Sequence, residues 1–389
     1  MNFKTIKDFD VNGKTVLLRA DLNVPVRDGK VTDTTRIDRV KPTIDYLLSQ
    51  NAKIVILSHY GRPKGQENPD FSLEFLPVEL SKQWGTPVGF GENSNEQITL
   101  LENLRFNPGE EANDASFAEQ LANLGDIYVN DAFSCAHRAH ASTEAITHIL
   151  PSCAGLSMEA ELNALNDALE APETPVMAIV GGAKVSTKLS VLHNLVKKVD
   201  FLTLGGGMAN TFLLAKGHNM GASLCEKDMV DEANSILKTA EQENCEIILP
   251  IDCTAVERLE EGASHTTETA EAFPSDKSAV DVSEQSIAYI NEKLNECKTV
   301  LWNGPMGVFE IKPFDNGTNK VAQHVAELTK SGKTLSVAGG GDTVAALDNA
   351  DAIQDFSYIS TAGGAFLEWI EGKELPGVKA LETSMKKAA

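Results

Sequence analysis

No run of apolar residues in this chain approaches the ~18–20 needed to cross a bilayer. The opening residues, Met-Asn-Phe-Lys-Thr-Ile-Lys-Asp, hold no apolar core of the kind a secretion signal requires. The six cysteines are scattered, without a Cys-x-x-Cys pair or a zinc spacing. They read as reduced thiols and predict a cytoplasmic protein. Positive charge is scarce: 34 Lys and Arg stand against 56 Asp and Glu, for a net charge of −22. Such a surface repels nucleic acid and anionic membrane, so neither is an expected partner, and it favours a soluble monomer. Arginine is nearly missing from the second half. Of eight arginines, seven lie within the first 138 residues and only Arg258 follows. Two nucleotide fingerprints are missing as well: the Walker Gly-x-x-x-x-Gly-Lys-Ser/Thr, and Gly-x-Gly-x-x-Gly with an acid about 20 residues on.

Glycine, by contrast, is concentrated. Four strand-like apolar runs, residues 176–182, 201–207, 334–341 and 358–364, each end in a glycine cluster. Glycine lets backbone N–H groups approach an anion, and a helix that follows presents its positive end. The first cluster continues as Gly181-Gly-Ala-Lys-Val-Ser-Thr-Lys188. Read as one helix, Lys184 and Lys188 repel each other by roughly 0.2–0.5 kcal/mol at i,i+4, and both oppose the macrodipole. A bound phosphate would reverse both effects; the plainer reading is a pair of solvated helix charges.

At 389 residues the chain is too long for one ordinary core and suits two domains. Strand signals alternate with helical patterns throughout, which is the rhythm of βαβ units and parallel sheets. In the first half the runs are 16–19, 53–58, 98–101 and 127–129; in the second, 176–180, 201–204, 246–250, 299–302, 334–338 and 358–360. Residues 158–170 form a charged helical stretch without a strand, closed by Pro172 and Pro175. The expected fold class is therefore α/β, with lobes at 1–170 and 171–372 joined by a helix. The basic tail, with Lys379, Lys386 and Lys387, is free to fray or to pack.

Ligands of open parallel sheets sit beyond the carboxyl ends of the strands. In the first lobe those loops carry Asp21 and Asn23, His59 and Arg62, Arg105, and Arg138, and Arg36 follows the first of them. Together these residues suit a small anion; singly, each reads as a surface ion pair or a loop cap. His59 reads as a general base or as a hydrogen-bonding ligand to substrate, and the lack of a serine or cysteine partner favours the second. His137 and His140 lack a third metal ligand. In the second lobe Asp342 or Thr343 either caps the helix that follows or, for Asp342, reaches a magnesium ion on phosphates. Glu310 is a ribose contact or an ordinary exposed acid.

The segments Arg19-Ala-Asp-Leu-Asn-Val-Pro25, Ser58-His-Tyr-Gly-Arg-Pro63, Glu102-Asn-Leu-Arg-Phe106, Asp131-Ala-Phe with Ala136-His-Arg-Ala-His-Ala-Ser142, Gly181-Gly-Ala-Lys-Val185, Trp302-Asn-Gly-Pro305 and Gly339-Gly-Gly-Asp-Thr343 run in order along nearly the whole chain. Together they resemble the phosphoglycerate kinases. Tyr60, Ser134-Cys135 and Ala362 are mild departures from the common pattern. The resemblance implies two Rossmann-like lobes with parallel sheets flanked by helices, a helical hinge that closes them, and a tail (373–389) returning to the first lobe. It implies phosphoryl transfer from 1,3-bisphosphoglycerate to ADP, giving ATP and 3-phosphoglycerate, with Mg2+ bound alongside the nucleotide. Asp21, Asn23, Arg36, His59, Arg62, Arg105 and Arg138 would hold phosphoglycerate. Lys188, Gly205, Gly206, Asn303, Glu310, Gly340, Gly341, Asp342 and Thr343 would hold the nucleotide, with Asp342 on the metal. Arg36, Lys184, Lys188 and the backbone at Gly341 and Gly364 would surround the migrating group. The rival readings are a dehydrogenase, which the missing dinucleotide fingerprint disfavours, and a non-catalytic metabolite sensor.

Overall fold

The computed structural model describes residues 3–384. By contact it divides into two compact units, one running to Asn163 and including the segment from Glu374, the other spanning Ala164–Lys373.

The first unit is built on six parallel strands ordered Val88–Phe90, Ile98–Leu100, Lys53–Leu57, Thr15–Arg19, Ile127–Asn130, Ser152–Ala154. Side chains alternate faces along a strand, and here both faces are buried. Val16, Leu18, Ile54, Ile56, Ile127 and Val129 join one core cluster. Leu17, Val55, Leu57 and Tyr128, the residues between them, join another. That two-sided burial is why these strands read as continuous apolar runs. The edge strands Val88–Phe90 and Ser152–Ala154 are three residues long and gave no such signal.

The helix Leu156–Leu165 leaves this sheet. Its start is tied down by Asp131, which accepts from Thr43 Oγ1 at 2.7 Å and from the Met158 N–H at 2.9 Å. Thr43 Oγ1 in turn accepts from the Leu156 N–H at 2.9 Å. By contact the division between units falls inside the helix, between Asn163 and Ala164. The helix Pro376–Ser384 belongs to the first unit and donates the Gly377 N–H to Ala136 O at 2.9 Å. Lys386 and Lys387 lie outside the described residues.

The second unit holds another six-stranded parallel sheet, ordered Glu246–Ile248, Phe201–Leu204, Val176–Val180, Thr299–Asn303, Leu335–Gly339, Tyr358–Ser360. In chain order that is 3-2-1-4-5-6, the Rossmann order, whose switch point lies between the strands Val176–Val180 and Thr299–Asn303. The sequence did not signal the antiparallel sheet formed by Asp252–Val256, His265–Thr269 and Ser278–Val282. Its edge strand, His-Thr-Thr-Glu-Thr, is almost wholly exposed, so it has no apolar run to read.

At the switch point two loops cross with their backbones in contact. A Cβ on Gly181 would lie 1.7 Å from Pro305 O. Gly181→Ala is therefore predicted to lower the unfolding free energy by roughly 1–3 kcal/mol or more, as overpacking does. A urea midpoint equal to that of the native chain would contradict this.

Candidate active site

Each sheet gathers its polar loops at the carboxyl ends of its strands. In the first unit Asp21 accepts from Arg36 Nη1 at 2.7 Å, and the same nitrogen donates to Asn23 O at 3.1 Å. Ser134 Oγ also donates to Asp21. Asn23 Oδ1 accepts from the Gly61 N–H at 3.0 Å, and Arg105 Nη1 donates to Gly61 O at 2.8 Å. These bonds lace the loops after the strands Thr15–Arg19, Lys53–Leu57 and Ile98–Leu100 into one surface. His59 is buried within it, and burial together with Arg19, Arg105, Arg36 and His140 pushes its pKa well below the usual value. Arg105 is depressed by burial, and Arg19 and Arg138 add to the effect. Arg62 and Arg138 are exposed. Neither forms a salt bridge among the described residues, although acidic groups far outnumber basic ones.

Asp21, His59 and Cys135 each bring a ligand atom within 4.8 Å of the others, a spacing open to a metal ion. The Arg19 guanidinium already touches two of them, His59 Nδ1 at 3.0 Å and Cys135 Sγ at 3.7 Å, while Arg36 pairs with the third. Cationic charge is thus supplied there by side chains.

In the second unit Lys188 reaches across the switch point. Its Nζ donates to Gly181 O at 2.8 Å and to Asn303 O at 3.0 Å. Burial lowers its pKa to about 8, against a smaller opposing effect of Asp342. Asn303 Nδ2 donates to Gly339 O at 2.7 Å, while its buried Oδ1 has no hydrogen-bond partner among the described residues. Gly340, at φ 101°, precedes the helix Gly341–Asn349. The N–H groups of that helix's first turn have no partner within it, and a Cβ on Gly341 would meet nothing within 4 Å. Gly364 likewise opens the short helix Gly364–Ile370. Asp342 lies exposed in the first turn and Glu310 is exposed as well.

The chain matches known proteins along nearly its whole length. A model of the family "Phosphoglycerate kinase" matches residues 6–373. The chain is 56% identical over 394 residues to a phosphoglycerate kinase of Rhodospirillum centenum, covering 98% of this chain and 100% of that one. It is 51% identical to one of Bartonella quintana, covering 98% and 99%. The structure of phosphoglycerate kinase from Coxiella burnetii superposes with a TM-score of 0.94 at 42% identity, covering 100% of both chains. The chain belongs to the phosphoglycerate kinase family. It is accordingly a phosphotransferase with a carboxyl acceptor, using a nucleotide and a small-molecule substrate in glycolytic phosphoryl transfer. No helix is long and apolar enough to cross a membrane.

Several expectations change against this phosphoglycerate kinase frame. Lys184 and Lys188 do not share a helix face. Lys184 precedes a 3-10 turn, Val185–Thr187, and Lys188 precedes the helix Leu189–Leu195. The two lysines are therefore not i,i+4 neighbours on one helix, and Glu226 holds the turn through the Ser186 N–H at 2.9 Å and Oγ at 2.6 Å. Neither Asp342 nor Thr343 caps its helix. Thr343 Oγ1 instead accepts from the Gly304 N–H at 2.7 Å. The Gly205 and Gly206 N–H groups are spent on Val180 O and Met306 O, at 3.0 and 2.8 Å, so these two N–H groups are not free to meet a phosphate. Arg19, quoted in the first strand-end motif but given no role there, is a buried cation at a strand end. An arginine closing an otherwise apolar strand was the available signal.

The buried groups set the pH dependence. His140 is held at about 4 by burial and by Arg105, Arg19 and Arg138, and His59 is also depressed. Burial raises Asp131 to about 6 and Asp281 to about 8. Below about pH 6.5 the unfolded chain protonates both imidazoles while the folded chain does not, which favours unfolding. Asp131 and Asp281 act oppositely, because only the folded chain holds their protons, from about pH 4 up to about 6 and about 8. Two imidazoles against two carboxyls predict almost no net proton uptake on unfolding from these groups between about pH 6 and 5, and a nearly flat stability there. A slope of a full proton in either direction, read from urea unfolding across that range, would contradict it.

Proposed function

We propose that phosphoglycerate binds the first unit through Asp21, Asn23, Arg36, His59, Arg62, Arg105 and Arg138. The nucleotide binds the second through Lys188, Gly205, Gly206, Asn303, Glu310 and Gly340–Thr343. The observation that carries this reading is the placing of exposed cations, Arg62 and Arg138 in the first unit and Lys184 in the second, at strand-end loops of a chain with charge −22, with no salt bridge to any of them among the described residues. Positive charge gathered at the carboxyl ends of parallel strands suits an anionic ligand.

The nucleophile is anionic in both directions, a carboxylate one way and a diphosphate oxygen the other. No proton has to be removed, so the reaction needs no nucleophile–base pair. Rate acceleration then rests on alignment and on charge stabilisation of the migrating group. Arg36, Lys184 and Lys188 supply mobile or half-buried positive charge, and the first-turn N–H groups at Gly341 and Gly364 supply fixed dipoles. A polyphosphate beside Lys188 favours its charged form, which burial alone disfavours.

Mg2+ fits the donor chemistry at Asp342. This exposed carboxylate makes no salt bridge among the described residues and offers one hard oxygen group, leaving phosphate oxygens and water to complete the coordination. When bound, the ion neutralises charge on the phosphate oxygens. The enzyme works in the cytoplasm as a monomer, consistent with its reduced thiols and acidic surface.

The test is steady-state conversion of ATP and 3-phosphoglycerate, read by coupling to NADH oxidation. Turnover is predicted to require both substrates and to vanish with a magnesium chelator; turnover that survives chelation would remove the metal role. Lys184→Ala is predicted to lower kcat more than it weakens nucleotide binding, and equal losses would make Lys184 a ground-state contact only. Arg62→Ala is predicted to raise KM for phosphoglycerate and leave that for ATP nearly unchanged. A change confined to ATP would reverse the assignment of substrates to units.

A further inference from the structure

Arginine has only N–H donors and keeps its charge at any ordinary pH. A ring nitrogen facing it must accept. Arg19 Nη2 lies 3.0 Å from His59 Nδ1, so Nδ1 is bare and the ring proton sits on Nε2. We infer that Arg19 is a positioning residue that locks His59 as the neutral imidazole with Nε2–H as its donor.

Arg19 is itself fixed. It is 1% exposed, donates through Nε to Ser142 Oγ at 2.9 Å and through Nη1 to Ala20 O at 2.6 Å. Ser142 is held from behind by fully buried Glu110, which accepts from the Ser142 N–H at 3.0 Å and from Oγ at 2.6 Å. Glu110, Ser142, Arg19 and His59 thus form one chain of hydrogen bonds from the interior to the substrate surface. The titratable groups around the ring are Arg19, Arg36 and Arg105, with Asp21, Cys135 and His140. Asp21 is already paired with Arg36, so a second positive charge on the ring finds no free partner. Resting on the reading that phosphoglycerate binds here, the consequence is a donor of fixed polarity facing the anion, instead of a charge that varies around neutral pH.

The test is nitrogen NMR of the histidine rings in the full-length enzyme, with His59 assigned by His59→Gln. The inference expects the neutral Nε2–H pattern from about pH 8 to 5.5, while ordinary histidines titrate near 6.5. An imidazolium or an Nδ1–H tautomer at pH 7 overturns it. Added 3-phosphoglycerate should move the Nε2 signal. A neutral Nε2–H ring that ignores 3-phosphoglycerate supports the lock and overturns the placement of substrate on His59. Arg19→Gln, which can offer the ring either donor or acceptor, should let His59 titrate and raise KM for 3-phosphoglycerate roughly tenfold. Arg19→Lys should restore the tautomer. Ser142→Ala, a milder change, should shift His59 in the same direction as Arg19→Gln. Native tautomer and titration in both Arg19→Gln and Ser142→Ala overturn the positioning role.

Discussion

Both units answer one constraint: a parallel sheet buried on two faces has nowhere polar to put its chain except at the strand ends. Leu17 and Leu18 point into different cores, as do Val55 and Ile56, and the polar side chains within the strands, such as Tyr128 and Thr203, are buried. Polar chemistry is therefore pushed to the carboxyl ends, where the connecting loops start. The acidic charge of the chain sharpens the effect. Some cations find carboxylates, as Lys41 and Lys320 do. Arg62 and Arg138 form no salt bridge among the described residues and sit exposed on the strand-end loops.

The two sheets meet the same demand with different equipment. The first unit uses arginine, whose fork reaches two acceptors at once and suits a small, doubly anionic ligand. Its loops are cross-braced by side chains such as Asn23 and Arg105. The second uses backbone. Loops cross so closely at Gly181 and Gly304 that only glycine fits, and this brings Lys188 against two carbonyls at the switch point. A mobile point charge over backbone dipoles suits a flexible polyphosphate chain.

Much of this was legible in the sequence. The ten apolar runs named there correspond to strands of the two parallel sheets, because two-sided burial writes itself as unbroken hydrophobicity. The strand-end residues from Asp21 to Arg138 were legible for the same reason, since the loop begins where the run stops. What escaped depended on contacts between distant segments. The 3-10 turn that parts Lys184 from Lys188 is held by Glu226, some forty residues on. Thr343 serves Gly304 and not its own helix. Arg19 looks like the last residue of a strand, and only the fold shows Glu110, Ser142 and His59 around it. The strand His265–Thr269 escaped because an exposed edge carries no hydrophobic pattern.

The central claim is that each sheet's loop surface binds its own substrate through these cations and dipoles. Hydrogen–deuterium exchange of the full chain with one ligand at a time tests it most directly. With 3-phosphoglycerate alone, protection is expected in the loops around residues 21–23, 59–62 and 134–138, and not around 181–188 or 340–343. With Mg-ADP alone the pattern is expected to invert. Protection of the glycine-rich loops by 3-phosphoglycerate, or of the arginine-bearing loops by Mg-ADP, would contradict the account.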